Sequence, residues 1–199
     1  MANANTPYGL QAVSYAWGAP YAGATRVYYV PVGNGTALFN GDPVIGITNS
    51  SDGNGIQSVG IATAGGGTPI LGAFMGRTNN AGIAAPITLQ QSNNVYLPAS
   101  TAAYVMVCDD PELLYWVQEN GAMVSGASGR NADLVAGAGS TYSAYSGWQL
   151  NSSTLNTTST LQMRIIQLLQ ESDNAVGTNA KWLCKINAGI SEFTNATGT

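Results

Sequence analysis

The sequence predicts an all-β fold, and three observations lead to that prediction. Short apolar segments recur along the chain between Gly, Pro, Asn and Asp residues, which is typical of strands joined by turns. Long helical periodicity is scarce, and the hydrophobic fraction of 45% is enough for a real core. Because about ten strands are too many for one small open sheet, we expect a single-domain β-barrel or a two-sheet, jelly-roll-like sandwich.

The candidate strands follow one another with turn residues between them. The turns at residues 33–35, 40–42 and 52–55 are rich in Gly, Asn and Asp, which tolerate a positive φ. The predicted strands cover residues 26–32, 43–48, 56–64, 70–77, 94–97, 103–108, 113–119, 147–150, 161–170 and 181–187.

Two hairpins are predicted from strict alternation of side chains. The first joins residues 103–108 to residues 113–119 through a tight turn at residues 109–112. The second joins residues 161–170 to residues 181–187, where Trp182, Cys184 and Ile186 share one face. Residues 161–169 also contain helix-favouring side chains, but the alternation of the partner segment favours a strand.

The remaining segments are predicted to be irregular. We expect an extended N-terminal arm over residues 1–10, a β-rich domain over residues 11–193 and a flexible tail over residues 194–199. Two polar stretches, residues 121–146 and 151–160, are predicted to be long surface loops that assembly contacts help to order.

The charge pattern argues against nucleic-acid and membrane partners. Charged residues make up 8% of the chain, the net charge is -4, and the six basic residues are scattered singly. Phosphate groups and anionic lipids require a patch of cations. The N-terminal residues do not resemble a signal peptide, and no apolar run approaches the length of a spanning helix. We therefore expect cytoplasmic synthesis and no membrane contact.

The chain contains no histidine, which removes several kinds of chemistry. Histidine is the commonest general acid or base and the commonest metal ligand, and the Ser-His-Asp and Cys-His systems both require it. Zinc and iron–sulfur sites need more ligands than two cysteines supply. The sequence therefore predicts a protein that is not an enzyme and that binds no metal or cofactor.

Cys108 and Cys184 are predicted to be buried thiols that behave as small hydrophobic residues. A disulfide that forms after release from the cell is the alternative, and the spacing alone leaves it open.

Three acidic residues, Asp109, Asp110 and Glu112, are close together in the sequence. Their contiguity next to Pro111 is typical of a turn in which Asp accepts backbone hydrogen bonds. A calcium site or a carboxylate-dependent hydrolase using Asp110 and Glu112 is the competing hypothesis.

Aromatic residues near the N-terminus are candidates for a protein interface. Tyr and Trp combine a large apolar area with a polar tip and are enriched at interfaces, although about half of this set is expected to pack in the core. The predicted interface residues are Tyr8, Leu10, Tyr15, Trp17, Tyr21 and Trp148.

Several segments together resemble virion proteins of tailed bacteriophages that are interpreted as capsid decoration, or cement, proteins. The segments are MANANTPYGL (1–10), RVYYVP (26–31), FNGDPV (39–44), YVMVCDDP (104–111) with VQE (117–119), and LQMRI (161–165) with DNAVGTNAKW (173–182). The likeness runs over most of the chain, and its motifs are turns and strand edges rather than catalytic signatures.

The resemblance implies a β-rich dimer or trimer on the outer face of an expanded HK97-type shell. Such proteins clamp neighbouring major capsid subunits, so the expected partners are the major capsid protein and further copies of this chain, and the expected location is the virion exterior. We also expect the N-terminal arm to lie over a neighbouring subunit. The alternative is a virion carbohydrate- or receptor-binding module in which an exposed Trp148 stacks on sugars.

Overall fold

The computed structural model of this protein describes residues 3–78 and 96–194, and they form the predicted all-β fold. Two short 3₁₀ turns, Ser125–Ala127 and Ser152–Thr154, accompany the strands. The strands are β1 (Gln11–Tyr15), β2 (Arg26–Val30), β3 (Pro43–Ser51), β4 (Gln57–Ile61), β5 (Gly72–Thr78), β6 (Ala103–Cys108), β7 (Leu113–Gln118), β8 (Asn131–Ala132), β9 (Leu134–Val135), β10 (Gln149–Leu150), β11 (Met163–Leu168) and β12 (Lys181–Ile186).

Five strands close into a barrel with the order β2-β4-β3-β5-β6, and β6 pairs back onto β2. All of the pairs are antiparallel except β2 with β4. Its interior is filled by apolar side chains that include Val30, Val59, Phe74 and Val107. Because the barrel is closed, each of its five strands pairs with a neighbour on both sides, and none of them is an edge strand.

The second structure is a five-stranded sheet with the order β1-β7-β12-β11-β8, beside a two-stranded ribbon of β9 and β10. The predicted hairpin of β11 and β12 is confirmed, and Trp182, Cys184 and Ile186 all face the core. The other predicted hairpin is wrong. β6 pairs with β2 and β5 in the barrel, while β7 pairs with β1 and β12 in the sheet. Alternation showed two strands correctly but not that the turn at residues 109–112 passes from one structure to the other.

One large apolar core joins the sheet to the barrel. Tyr115 and Trp182 from the sheet and Ala73 and Cys108 from the barrel strands belong to the same cluster. The Tyr115 hydroxyl crosses this boundary and donates a hydrogen bond to the carbonyl oxygen of Cys108 at 3.1 Å. The sheet and the barrel therefore pack against each other through buried apolar side chains.

Both cysteines are buried and free, as the sequence analysis expected. Cys108 donates to the carbonyl oxygen of Ala73 at 3.4 Å, and burial raises the pKa of its thiol to about 12. Burial also raises the pKa of Cys184. Both thiols therefore stay protonated at neutral pH.

The prediction of a surface loop at residues 121–146 is only partly correct. It supplies β8 and β9, and Met123, Ala127 and Leu134 are buried in the shared core. The protein's own core thus helps to order this segment. Residues 94–95 of one predicted strand and residues 195–199 of the tail lie outside the described residues. No helix in the described part of the chain has the length and apolar character needed to cross a membrane.

Candidate interaction surface

The structure places the six predicted interface residues in different environments. Trp17 is 63% exposed, whereas Tyr8, Tyr15 and Tyr21 are half-buried. Two predictions need correction. Leu10 is 0% exposed and Trp148 is 3% exposed, and both belong to the shared core. Their apolar area is used to hold the sheet against the barrel, so they are not available to a partner.

Three of these residues form a cluster that we call the aromatic shelf: Tyr15, Trp17 and Tyr21. The chain reverses after β1, because Tyr15 donates its backbone N–H to the carbonyl oxygen of Ala19 and Gly18 has a φ of 94°. The Trp17 ring stacks on the Tyr15 ring at 4.5 Å between centroids, with an interplanar angle of 12°. Tyr21 lies 6.4 Å from Tyr15. The tight reversal thus holds the exposed indole against a half-buried ring.

The N-terminal segment lies on its own chain as a strap, which we define as residues 3–8. The side chain of the buried Gln118 accepts from the N–H of Thr6 at 3.0 Å and donates to the carbonyl oxygen of Ala4 at 2.8 Å. The Asn3 side chain donates to the carbonyl oxygen of Ala175 and accepts from its N–H. These hydrogen bonds hold the strap on its own chain, and its lying over a neighbouring subunit stays a prediction.

A groove of about 780 Å³ runs beside the strap on the outer face of the sheet. Trp116 projects from β7, where it lies opposite Gln11 on β1 and Leu183 on β12. Tyr8 from the strap and Tyr145 from the loop before β10 also line it. The groove is separate from the aromatic shelf, since none of the three shelf residues lines it.

An ion pair forms part of the groove's lining. The Lys181 ammonium lies 2.9 Å from a Glu171 carboxylate oxygen and 3.3 Å from one of Asp173. Hydrogen bonds to these carboxylates raise the pKa of Lys181, since they favour its charged form. Glu171 and Lys181 line the groove, and the Lys181 ammonium has both of its carboxylate partners within the protein itself.

The three neighbouring acidic residues each make a different structural contact. Buried Asp109 accepts from the Tyr28 hydroxyl at 2.5 Å and from Arg26 at 3.3 Å, and burial raises its pKa. Asp110 accepts from the backbone N–H of Glu112 at 2.8 Å, which is the turn contact that the sequence predicted. The Glu112 carboxylate pairs with Lys185 at 2.7 Å. These contacts tie the passage from β6 to β7 in place.

The carboxyl groups of Glu119 and Asp42 are also buried, and neither has an ion-pair partner among the described residues. Glu119 is 0% exposed and accepts from the backbone N–H of Met123 at 2.6 Å, and burial raises its pKa to about 7. Asp42 accepts from the backbone N–H of Phe39, and burial raises its pKa to about 6. Both hold backbone turns from inside the protein.

Three residues that shape the groove and hold the strap, Trp116, Tyr145 and Gln118, were not predicted from the sequence. Trp116 was recognised as part of an alternating strand, and alternation gives a face but not what covers it. Tyr145 lies in a Gly- and Ser-rich stretch that contains no pattern. For Gln118, the signal was a polar residue at the end of an apolar strand, next to a second polar residue, Glu119.

Within residues 3–78 and 96–194, no group of three or more potential ligands is placed to hold a metal ion. Comparison of the chain with protein-family models, with curated proteins and with solved structures finds no match.

Proposed function

We propose that this chain is a non-enzymatic virion structural protein that binds the outer surface of an HK97-type phage capsid and bridges neighbouring major capsid subunits. The observation that carries the proposal is the aromatic shelf, in which a largely exposed Trp17 is held in place by stacking on Tyr15. Exposed Trp and Tyr side chains are the residues that most often dominate binding energy at protein interfaces.

The shelf suits protein binding because its geometry is fixed before contact. A free indole loses rotational freedom when it binds, which costs about 0.5–1.5 kcal/mol for a side chain with many rotamers. The 4.5 Å stack on Tyr15 and the reversal at Gly18 restrict Trp17 in advance. Tyr21 adds a second ring and is itself anchored, because its hydroxyl donates to the carbonyl oxygen of Ala24.

The chain's low charge supports the same proposal. Only 8% of its residues are charged, and Arg26, Lys181 and Lys185 are paired with carboxylates of the same chain. Contacts made by neutral amides, hydroxyls and rings depend weakly on ionic strength. Modest contacts of this kind become effective when each dimer or trimer bridges several capsid subunits, since the second contact forms at a high effective concentration.

Binding to undecorated, expanded HK97-type phage capsids tests the proposal. Trp17→Ala should reduce occupancy at least tenfold in a co-sedimentation titration, and binding of the wild type should change little between 50 and 500 mM NaCl. Tyr142→Ala is the matched control, because Tyr142 is fully exposed and makes no ring contact among the described residues.

Unchanged occupancy of Trp17→Ala, or no binding of the wild type to capsids, would contradict the proposal. The alternative of a carbohydrate- or receptor-binding module loses its original basis, since Trp148 is buried. A different part of the molecule, the groove beside the strap, offers that alternative a new basis.

A further inference from the structure

We infer that the groove beside the strap is a binding site for a neutral oligosaccharide of hexopyranose units, independent of any capsid contact. The groove holds about 780 Å³, within the range of about 300–1,000 Å³ that is usual for ligand sites. Trp116 on the sheet and Tyr145 on the loop line it together with Gln11, Ser143 and Lys181. Flat apolar rings beside a few polar groups are the composition expected of a site for a sugar, which has both apolar faces and hydroxyls.

The charges of the groove favour a neutral ligand. Lys181 is already neutralised by Glu171 at 2.9 Å and by Asp173 at 3.3 Å, so the group of three carries a net negative charge. A phosphate, a uronic acid or a nucleic acid would meet repulsion from Glu171 and Asp173 without an unpaired cation to offset it. Sugar hydroxyls, in contrast, both donate to the carboxylates and accept from the ammonium.

The same ion pair argues against an apolar protein segment in the groove. The side chains of Lys181 and Glu171 retain 18% and 32% of their exposure. Covering them with apolar side chains would strip water from both charges, and that desolvation is not regained unless new hydrogen bonds form. A polyhydroxylated ligand replaces the lost water with hydroxyl groups, so it can cover the pair at lower cost.

The strap supplies a second observation in favour of a polar ligand. Tyr8 lines the groove, and its hydroxyl is buried without a hydrogen-bond partner in the part of the chain that the structure describes. A buried hydroxyl without a hydrogen-bond partner destabilises the folded protein, because it has lost its hydrogen bonds to water. A small shift of the ring toward the groove gives this hydroxyl a partner on a bound sugar. The strap thus forms a wall of the site, and Gln118, which holds the strap, becomes a positioning residue.

Titration of the full chain with maltohexaose, cellohexaose and mannohexaose, followed by NMR or calorimetry, tests this inference. We expect at least one of the three to bind. Tyr145→Ala should weaken binding at least fivefold, because Tyr145 is 46% exposed and its side chain can be removed without opening the core. Trp116→Phe should weaken it less than Trp116→Ala, since a ring remains.

Tyr142→Ala is the matched control three residues from Tyr145, and Trp17→Ala is the control for the aromatic shelf. Neither lines the groove, so neither should change sugar affinity. Absence of binding by all three oligosaccharides at 10 mM overturns the inference. So does equal or tighter binding of a hexagalacturonate, or sugar binding that survives both Tyr145→Ala and Trp116→Ala. Because Trp17→Ala affects capsid binding alone, failure of one proposal is distinguishable from failure of the other.

Discussion

The barrel and the five-stranded sheet are built from similar strands but present different surfaces. The barrel order is closed, and the hydrophobic cluster inside it is made of apolar side chains that include Val30 and Phe74. The sheet is open, and its outer face carries the strap, the groove and, within residues 3–78 and 96–194, three of the four ion pairs. The ion pairs in the described part of the chain are therefore concentrated on the sheet.

This difference indicates a division of roles. A closed barrel satisfies its own backbone hydrogen bonds and leaves little for a partner. An open sheet with one face on a core leaves the other face for solvent, for a neighbouring segment or for a ligand. Here the outer face of β7 and β12 carries the strap over Gln118 and the groove lined by Trp116 and Lys181.

The largest expected effects test whether the two structures unfold together. Phe74→Ala in the barrel and Trp182→Ala in the sheet should each lower the free energy of unfolding by about 3–5 kcal/mol, because both side chains are fully buried. Since the shared core contains residues of both structures, urea denaturation should show one transition for each variant.

The control for this pair is Ile166→Ala on β11, where the side chain is 39% exposed and the change should stay within about 0.5 kcal/mol. If either core variant splits unfolding into two transitions, with the unmutated structure melting as in the wild type, the barrel and the sheet are independent units.

The next effect concerns the strap, which distinguishes the sheet from the barrel most directly. Gln118→Ala removes the acceptor for the N–H of Thr6 and the donor to the carbonyl oxygens of Ala4 and Asn179. We expect a loss of about 1–3 kcal/mol and faster hydrogen exchange at Thr6. Gln149→Ala, which loses only a 3.4 Å contact with Asn5 and a 3.2 Å contact with Glu119, is the control. Unchanged exchange at Thr6 in Gln118→Ala would show that the strap is held by other contacts.

Much of the fold was accessible from the sequence because strand alternation is a local property. Trp182, Cys184 and Ile186 were placed on one buried face, and the structure confirms that face. The pairing of β6 with β2 rather than β7 was not accessible. Adjacent strands joined by a short turn usually pair with each other, but here β6 pairs with β2 and β5 while β7 pairs with β1 and β12, and these partners are far away in the sequence.

The candidate sites were less accessible, because exposure depends on what the rest of the chain covers. Trp17 and Trp148 both lie next to Gly in the sequence, yet one is 63% exposed and the other 3%. The difference comes from residues far away in the sequence that form the shared core around Trp148. The groove likewise combines the strap, three sheet strands and two loops, none of which identifies the others in sequence.

A smaller effect is expected in the pH dependence of the free energy of unfolding. It again distinguishes the sheet from the barrel, because each has its own buried carboxyl group nearby. Glu119 has a pKa raised from 4.5 to about 7, and Asp42, beside the barrel, one raised from 3.8 to about 6. The folded protein keeps these protons where the unfolded chain has lost them, so the free energy of unfolding should fall as pH rises toward 7 and then level. Each proton contributes at most about 1.4 kcal/mol per pH unit.

Urea denaturation at half-unit steps from pH 5 to 8 measures this slope. Glu119→Gln should flatten it between pH 6 and 7, where Asp42 is already mostly ionised, and Asp42→Asn should flatten it mainly below pH 6. A stability that rises steadily from pH 5 to 7 in the wild type would show that neither carboxyl group is held protonated in the folded state.

The smallest effect is expected from the ion pair of Lys185 and Glu112 on the outer face of the sheet. The two charged groups lie 2.7 Å apart, but their side chains are 23% and 43% exposed, so water screens them. A double-mutant cycle with Lys185→Ala and Glu112→Ala should give a coupling energy of about 0.2–1 kcal/mol that disappears in 1 M NaCl.

The contrasting pair is Arg26 with Asp109, whose carboxylate side chain is only 6% exposed and is also held by Tyr28. Coupling between Arg26 and Asp109 should therefore resist salt better. A Lys185–Glu112 coupling above about 2 kcal/mol, or one that persists in 1 M NaCl, would mean that the outer face of the sheet is shielded from solvent in the protein as it exists in solution.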